Sequence, residues 1–295
     1  MRQTEQHFDE MLLTPDGVRH PYQQYERWFS NEDPARLIKK SKEAEAFFRR
    51  TGITFNVYGQ AAAQERLIPF DLIPRIISNR EWTRLSKGIE QRVRAINAFL
   101  HDVYNRQEIL RAGVIPVELI SQNDGFLPQM MGMTPPGNVY THIVGTDIVR
   151  TGEDDFFVLE DNARTPSGVS YVVENRQLMR RAFPDLMNGI NVLPVSDYGS
   201  RLRNTLDQVL PANHGDGLVV LMSPGVFNSA YFEHVFLARE MGAPLVEGRD
   251  LVVQDKKVFM RTTAGLNRVD VIYRRIDDDF IDPLCFRPDS VLGVP

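Results

Sequence analysis

GLVVLMSPGVFNSAYFEHVFLAREMGAPLVE, residues 217–247, changes rhythm twice within one stretch. Gly217 to Met222 is an unbroken apolar run, the pattern of a strand covered on both faces. Ser223-Pro224-Gly225 interrupts it, and from Asn228 to Met241 apolar residues return at helical spacing. Pro244 to Glu247 then begins a second short strand. Strand, helix and strand in this order form a βαβ unit, for which a parallel strand pair and a right-handed crossover are expected.

Downstream, Leu251 to Val253 and Val258 to Arg261 flank Gln254-Asp255-Lys256 as a hairpin, and Val269 to Arg274 reads as a further strand ending in arginines. Upstream, Thr146 to Arg150 and Phe156 to Glu160 form another hairpin around Thr151-Gly152-Glu153-Asp154. Before Gln122 the texture is helical. Asn31 to Pro34 is a helix start and Gly52 its end, with a short strand expected over Ile53 to Tyr58. Ser78 and Glu81 have the spacing of a capping box, and Trp82, Leu85, Ile89, Val93, Ile96, Leu100 and Val103 recur behind them as one apolar stripe. Gly113 and Pro116 close this region. The fold class is therefore α/β (α+β), with a mainly helical part over 1–122 and a mixed-sheet part over 123–295.

The chain has 295 residues, 34 Lys+Arg against 39 Asp+Glu, and a net charge of -5, so nothing in its overall charge draws it to nucleic acid. The N-terminal MRQTEQHFDE lacks an apolar leader, and no stretch reaches the about 20 apolar residues of a membrane span. A single cysteine, Cys285, excludes an internal disulfide and suits a reducing compartment, with cytoplasm as the expectation. No P-loop, no strand-linked G-x-G-x-x-G and no H-E-x-x-H is present.

Chemistry concentrates on the first hairpin and its exit, Gly145-Thr146-Asp147 and then Glu160-Asp161-Asn162-Ala163-Arg164-Thr165-Pro166-Ser167-Gly168. Residues two apart in a strand share a face, so Glu160 and Asn162 point the same way, and Asp147 on the partner strand brings a third oxygen. Two carboxylates and an amide carbonyl suit Mg²⁺ that keeps some waters. The same residues also fit a plain polar strand edge and turn. Ser223-Pro224-Gly225 ahead of Asn228 offers amides for an anion or, equally, a simple turn and cap. Trp28 and Trp82 read as core or interface aromatics.

Glu-x-Asn-x-x-Thr-x-Ser after a hairpin-partner Asp resembles the metal and substrate signature of ATP-grasp peptide ligases such as glutathionylspermidine synthetase and eukaryotic glutathione synthetase. More closely, the chain resembles circularly permuted ATP-grasp proteins of the glutathionylspermidine-synthase-like family. The matching blocks are YGQAAAQERLIPFDLIPRII (58–77), EDNARTPSGVSYVVENR (160–176), SPGVFNSAYFEHVFLAREMG (223–242) and DVIYRRIDDDFIDPLCFRPDS (270–290). They span most of the chain in order. Gln60, Glu65 and Arg66 lie in the first block without an assigned role.

The resemblance implies a glutathione-synthetase-like ATP-grasp architecture and ATP-dependent coupling of a small peptide or amino-acid-like carboxylate to an amine. It implies ATP and Mg²⁺ as cofactors, with Asp147, Glu160 and Asn162 on the metal. Thr165, Ser167, Arg164, Tyr273 and Asn228 would bind substrate, and Arg274 and Arg275 would act catalytically on charge. Relatives place an arginine two positions before the aspartate, where this chain has Gly145; Arg150, Arg164 or Arg176 stand as replacements. In the family the glycine-rich nucleotide clamp lies downstream of the DDDFIDPL block, so it is expected beyond residue 295. The competing expectation is a module that binds a carboxylate or peptide without turnover.

Overall fold

The computed structural model describes residues 8–12, 17–56, 65–211 and 217–294, with 54–56 and 65–66 as backbone only. Gln60 and the Tyr58 end of the expected strand lie outside the described residues. In chain order come α1 (Gln23–Phe29), α2 (Pro34–Thr51), and the antiparallel pair β1 (Thr54–Asn56) and β2 (Glu65–Leu67). The long helix α3 (Asn79–Tyr104) and the single turns α4 (Glu108–Arg111) and α5 (Glu118–Ser121) precede the hairpin of β3 (Gly145–Arg150) and β4 (Phe156–Asn162). Next are α6 (Val169–Ala182), α7 (Pro184–Gly189), α8 (Tyr198–Asp207), β5 (Val219–Met222), α9 (Tyr231–Met241) and β6 (Leu245–Val246). The remaining strands are β7 (Leu251–Gln254), β8 (Lys257–Thr262), β9 (Gly265–Arg268) and β10 (Val271–Arg274). No helix among the described residues is long and apolar enough to cross a membrane.

These elements gather into two units, each made of two stretches: Met1–Asp9 with Ile77–Pro166, and Glu10–Ile76 with Ser167–Pro295. The change of texture near Gln122 falls inside the first. The helical stretch read over 1–122 is divided between both.

In the second unit β5 is the middle strand of a parallel sheet, ordered β10-β5-β6. All four of its residues are buried, which is why it is apolar without alternation. Val220 and Met222 pack with Val246, Leu251, Val269 and Ile276, while α9 covers β5 and β6 with Phe236, Leu237 and Met241 buried. Each large side chain buried this way contributes about 1.5–3 kcal/mol. Beside this lies the antiparallel sheet β7-β8-β9, whose third strand the sequence pattern did not reveal.

Two further clusters seat the helices. Tyr25, Met179, Ala182, Phe183 and Leu186 join α1, α6 and α7, and Trp28 sets its ring edge-on to Phe183 at 5.0 Å. Ala44, Phe48, Ile53 and Leu178 join α2 to α6. Asp33 caps α2 through the amide of Ala35, and Gly52 ends it in the left-handed conformation. Helix α6 went unread because its inward face alternates chemistry: Ser170, Val173, Glu174 and Leu178 are all buried, so no clean apolar period survives.

In the first unit the capping box of α3 forms as its spacing predicts. Ser78 Oγ accepts from the Glu81 amide and Glu81 Oε2 accepts from the Ser78 amide at 2.7 Å. The other Glu81 oxygen accepts from Arg150 Nη2 at 2.6 Å, a contact buried at both ends. Arg150 also donates to the carbonyls of Gly152 and Glu153, and its guanidinium lies 4.7 Å from the Phe156 ring centroid. One glutamate thus starts the helix and anchors the hairpin to it. Of the expected apolar stripe only Val103 is buried; Trp82 stands 46% exposed, outside any core. Polar tethers do more of the holding: Asn97 receives the amides of Tyr140 and Thr141, and Arg92 pairs with Asp161.

Removing Glu81 by Glu81→Ala is expected to destabilise the fold by about 3–5 kcal/mol, since it breaks a buried ion pair by taking away one member. Ser78→Ala removes only a cap and should cost about 1 kcal/mol. Urea denaturation of both variants checks this, and equal losses would show that the Arg150 pair adds nothing.

Candidate functional site

On the hairpin, Asp147 lies directly opposite Glu160, and Gly145 opposite Asn162. Opposed residues and those two apart along a strand share a face, so Asp147, Glu160 and Asn162 form one surface of oxygens. All three are exposed, and Asn162 Nδ2 donates to Glu160 Oε1 at 3.1 Å, leaving the amide oxygen for another partner. The opposite face is tied down: Thr146 Oγ1 donates to Asp161 at 3.0 Å, and Asp161 pairs with Arg92 of α3.

This surface depends on a bulge. The register shifts between Asp147 and Ile148, where Asp147 faces Glu160 but Ile148 faces Val158, so Leu159 is the extra residue. Phe156 and Val158 are less exposed than Phe157, Leu159, Glu160 and Asn162. With strict alternation Glu160 and Asn162 would share the face of Phe156 and Val158; the bulge turns them to the outer one. The strand exit is held by Thr141 Oγ1, which donates to the Ala163 carbonyl at 2.6 Å. Beyond it Arg164 is exposed and Thr165 half-buried, the two residues before Pro166 ends the first unit.

The donors suit Mg²⁺ by chemistry, being hard oxygens on an open face. Among the described residues no group of three His, Cys, Asp or Glu side chains is placed to hold a metal.

Position 145 has no room for a side chain, because a Cβ there would lie 2.9 Å from Pro166 Cβ. An arginine at this point would force Pro166 or the strand to shift. Of the three expected replacements, Arg150 is buried against Glu81 and is not a substrate clamp. Arg176 donates to the Leu193 carbonyl at 2.7 Å, and burial followed by the neighbouring Arg180 lowers its pKa.

The second unit holds a separate cluster around Arg275. Arg275 is buried and donates from Nη2 to Ser167 Oγ at 2.6 Å and to Glu233 Oε1 at 3.2 Å, and from Nη1 to the Tyr273 hydroxyl at 3.2 Å. Glu233, 1% exposed, takes on its other oxygen the amides of Gly168 and Ser170 at 2.6 and 3.1 Å and the Ser170 hydroxyl at 2.8 Å. Next to it His234 Nδ1 lies 2.8 Å from Ser223 Oγ, which also accepts the Gly225 amide. Burial, and then the positive Arg275, push the His234 pKa down to about 3, so the ring is neutral. Burial also pushes the Tyr198 hydroxyl up to about 12.

Thus Ser167, Tyr273 and Arg275 come together, while Arg274 turns away to the Ile276 carbonyl at 2.7 Å and to Asp278 at 2.6 Å. Asn228 does not begin the helix. Its Oδ1 accepts the Ala230 amide at 2.9 Å in the turn before α9. Glu233, Ser170 and His234 were not singled out in the sequence, and Ser223 only as part of a turn offering backbone amides. The available signal was Glu233-His234, two polar residues inside an otherwise aromatic helical face of Tyr231, Phe232 and Phe236.

A solved structure of a glutathione synthetase like-effector from Globodera pallida superposes with a TM-score of 0.54 over 90% of this chain and 62% of that one, at 16% identity. The fold is therefore of the glutathione-synthetase-like ATP-grasp type. A family model described as a circularly permuted ATPgrasp matches residues 74–295, and the chain belongs to that family. An uncharacterized protein of Synechocystis sp. is 48% identical over 98% of this chain and 60% of its own length. An uncharacterized protein of Mycobacterium tuberculosis is 50% identical over 97% of the chain and 51% of its own length. A protein of Frankia alni named as a putative glutamate--cysteine ligase is 38% identical over 92% of this chain and 32% of its own. The chain spans about half the length of the first two and a third of the last.

The neutral His234 sets a pH dependence. Its folded pKa, about 3, is below the unfolded value near 6.5, so the unfolded chain binds the extra proton between them. Stability should therefore fall as pH drops from about 6.5 toward 3, by up to about 1.4 kcal/mol per unit from this group. Melting temperature measured against pH should fall less steeply in His234→Gln. Identical slopes for the two proteins would refute the assignment.

Proposed function

We propose that this chain carries the metal and carboxylate portions of an ATP-dependent carboxylate-amine ligase, of the glutathionylspermidine-synthase-like kind. The observation that carries the proposal is the single outward face of Asp147, Glu160 and Asn162, set by the bulge at Leu159. Bound there, Mg²⁺ would neutralise charge on the transferring phosphoryl group. Glu160 and Asn162 would hold the cation, with Asp147 sharing in that or positioning its waters. In the second unit the Ser167 hydroxyl, backed by the Arg275 guanidinium, offers a hydrogen bond to a carboxylate; Thr165 and Arg164 lie on the strand exit of the first.

In such a ligase the substrate carboxylate attacks the γ-phosphorus of ATP and ADP leaves. The amine then attacks the acyl carbon, inorganic phosphate departs and the amine proton is lost to solvent. The relative named as a putative glutamate--cysteine ligase and the glutathione synthetase-like structure support small amino-acid-like or peptide carboxylates as the acid. ATP as co-substrate and a lone exposed Cys285 agree with a reducing, cytoplasmic setting.

A carboxylate-binding module without turnover is the second reading, favoured by one observation: Arg274 and Arg275 each already face an acid of the protein, Asp278 and Glu233. Calorimetric titration with MgATP, together with ADP release over glutathione plus spermidine and L-glutamate plus amino acids, separates the two. Saturable nucleotide binding with substrate-dependent ADP release supports the ligase; carboxylate binding without ADP release supports the module. Glu160→Ala is expected to weaken Mg²⁺ binding at least about 10-fold. Deleting Leu159 removes the bulge yet leaves Glu160 directly after Val158, still outward and opposite Asp147, so Mg²⁺ affinity should be kept at unchanged far-UV circular dichroism. Unaltered Mg²⁺ affinity in Glu160→Ala would remove the metal assignment.

A further inference from the structure

Among the described residues Glu233 is a buried carboxylate held by four hydrogen bonds from the protein itself. Three donors, the Gly168 amide, the Ser170 amide and the Ser170 hydroxyl, converge on Oε2, and Arg275 Nη2 reaches Oε1. The free amides at the start of α6 are therefore already met by an internal anion, so this helix end does not offer itself to a ligand. What remains open is Ser167, an exposed residue one position before the Gly168 amide that Glu233 holds.

The direction of the Ser167 hydroxyl follows from its partner. A guanidinium only donates, so in the 2.6 Å contact Ser167 Oγ must accept from Arg275 Nη2. Its own hydrogen is left to point away from Arg275, polarised by the positive charge behind it. Such a group donates to an acceptor with negative charge. Arg275 itself is too buried to reach a ligand, its side chain being 2% exposed, and so acts through the serine. Glu233 fixes both members of this pair: it clamps the Gly168-Ser170 backbone that carries Ser167 and binds the same guanidinium nitrogen that Ser167 accepts from. Backbone geometry narrows the placement further, because Gly168 has φ +117°, a conformation that side-chain-bearing residues rarely adopt.

We propose that Glu233 is a positioning residue for the carboxylate substrate: through Arg275 and the 168–170 turn it fixes Ser167 as a one-directional hydrogen-bond donor to a carboxylate oxygen. The proposal rests on the ligase or carboxylate-binding reading above. A buried ion pair is weak as a source of stability, often replaceable by apolar residues at no loss, so a pair this deep is better explained by what it orients.

The test is a double-mutant cycle between Ser167→Ala and Glu233→Asp, read by calorimetric titration of glutathione and L-glutamate in the presence of Mg²⁺ and an ATP analogue that cannot transfer its γ-phosphate. Ser167→Ala is expected to weaken one of these probes about 10-fold, the scale of a hydrogen bond to a charged group. Glu233→Asp keeps the charge but withdraws it by one methylene, and should weaken the probe by about 10-fold alone and less than 2-fold in the Ser167→Ala background. Arg275→Lys, which keeps charge but loses the planar fork, should show the same dependence on Ser167 and serves if Glu233→Asp does not fold. Amide exchange at Gly168 and Ser170 should accelerate in Glu233→Asp and stay at the wild-type rate in Ser167→Ala. Equal weakening by Glu233→Asp in both backgrounds, with Ser167→Ala still weakening the probe, overturns the positioning role alone. Failure of both probes to bind the wild-type chain, or binding indifferent to Ser167→Ala, overturns the carboxylate reading at Ser167 and the proposal with it.

Discussion

A carboxylate taken almost wholly out of water must be surrounded by donors, and Glu233 meets that demand with four hydrogen bonds. The donors come from the turn entering α6 and from the arginine that follows β10, while the carboxylate itself sits on α9. Those elements lie far apart in sequence, so satisfying one side chain fixes a helix start, a strand end and a helix face at once. The apolar packing of β5 beneath α9 supplies the driving force, but it is non-directional and would tolerate small shifts. The hydrogen bonds at Glu233 do not.

The first unit solves a similar problem on a smaller scale. Arg150 has a buried guanidinium, and Glu81, two carbonyls and the Phe156 ring enclose it. That anchor sets the far end of β3 against the start of α3. At the near end Asp161 and Thr141 hold the strands, and between the anchors the extra residue Leu159 absorbs the change of face. Leu159, 71% exposed, and Phe157, 59% exposed, stand on the same outer surface as the oxygens. The bulge adds Glu160 and Asn162 to a face that alternation already gives to Phe157 and Leu159.

Much of this was legible beforehand. The strand over Val219–Met222 announced itself by four apolar residues in a row, the capping box by Ser78 and Glu81, and the first hairpin by its turn. The pairing of Asp147 with Glu160 and the shared face of Glu160 and Asn162 also agreed with the reading. Helix α6 was hidden because buried Ser170 and Glu174 interrupt its apolar period, and β9 because Gly265-Leu266-Asn267-Arg268 has no alternation to detect. Asn228 looked like a helix start and is instead part of the turn before one. Arg150, which sequence alone left available to a substrate, is taken by a glutamate 69 residues earlier.

Local chemistry therefore determined the element types and the identity of the oxygen-bearing hairpin, since propensity, capping and strand pairing act over a few residues, while the family entered through the resemblance of whole sequence blocks. Only tertiary structure decided which arginines face the protein, why position 145 is glycine, and which way Ser167 directs its proton. Those outcomes depend on contacts between segments distant in sequence, Pro166 against Gly145 and Glu233 against Arg275, and on desolvation that no short window of residues records.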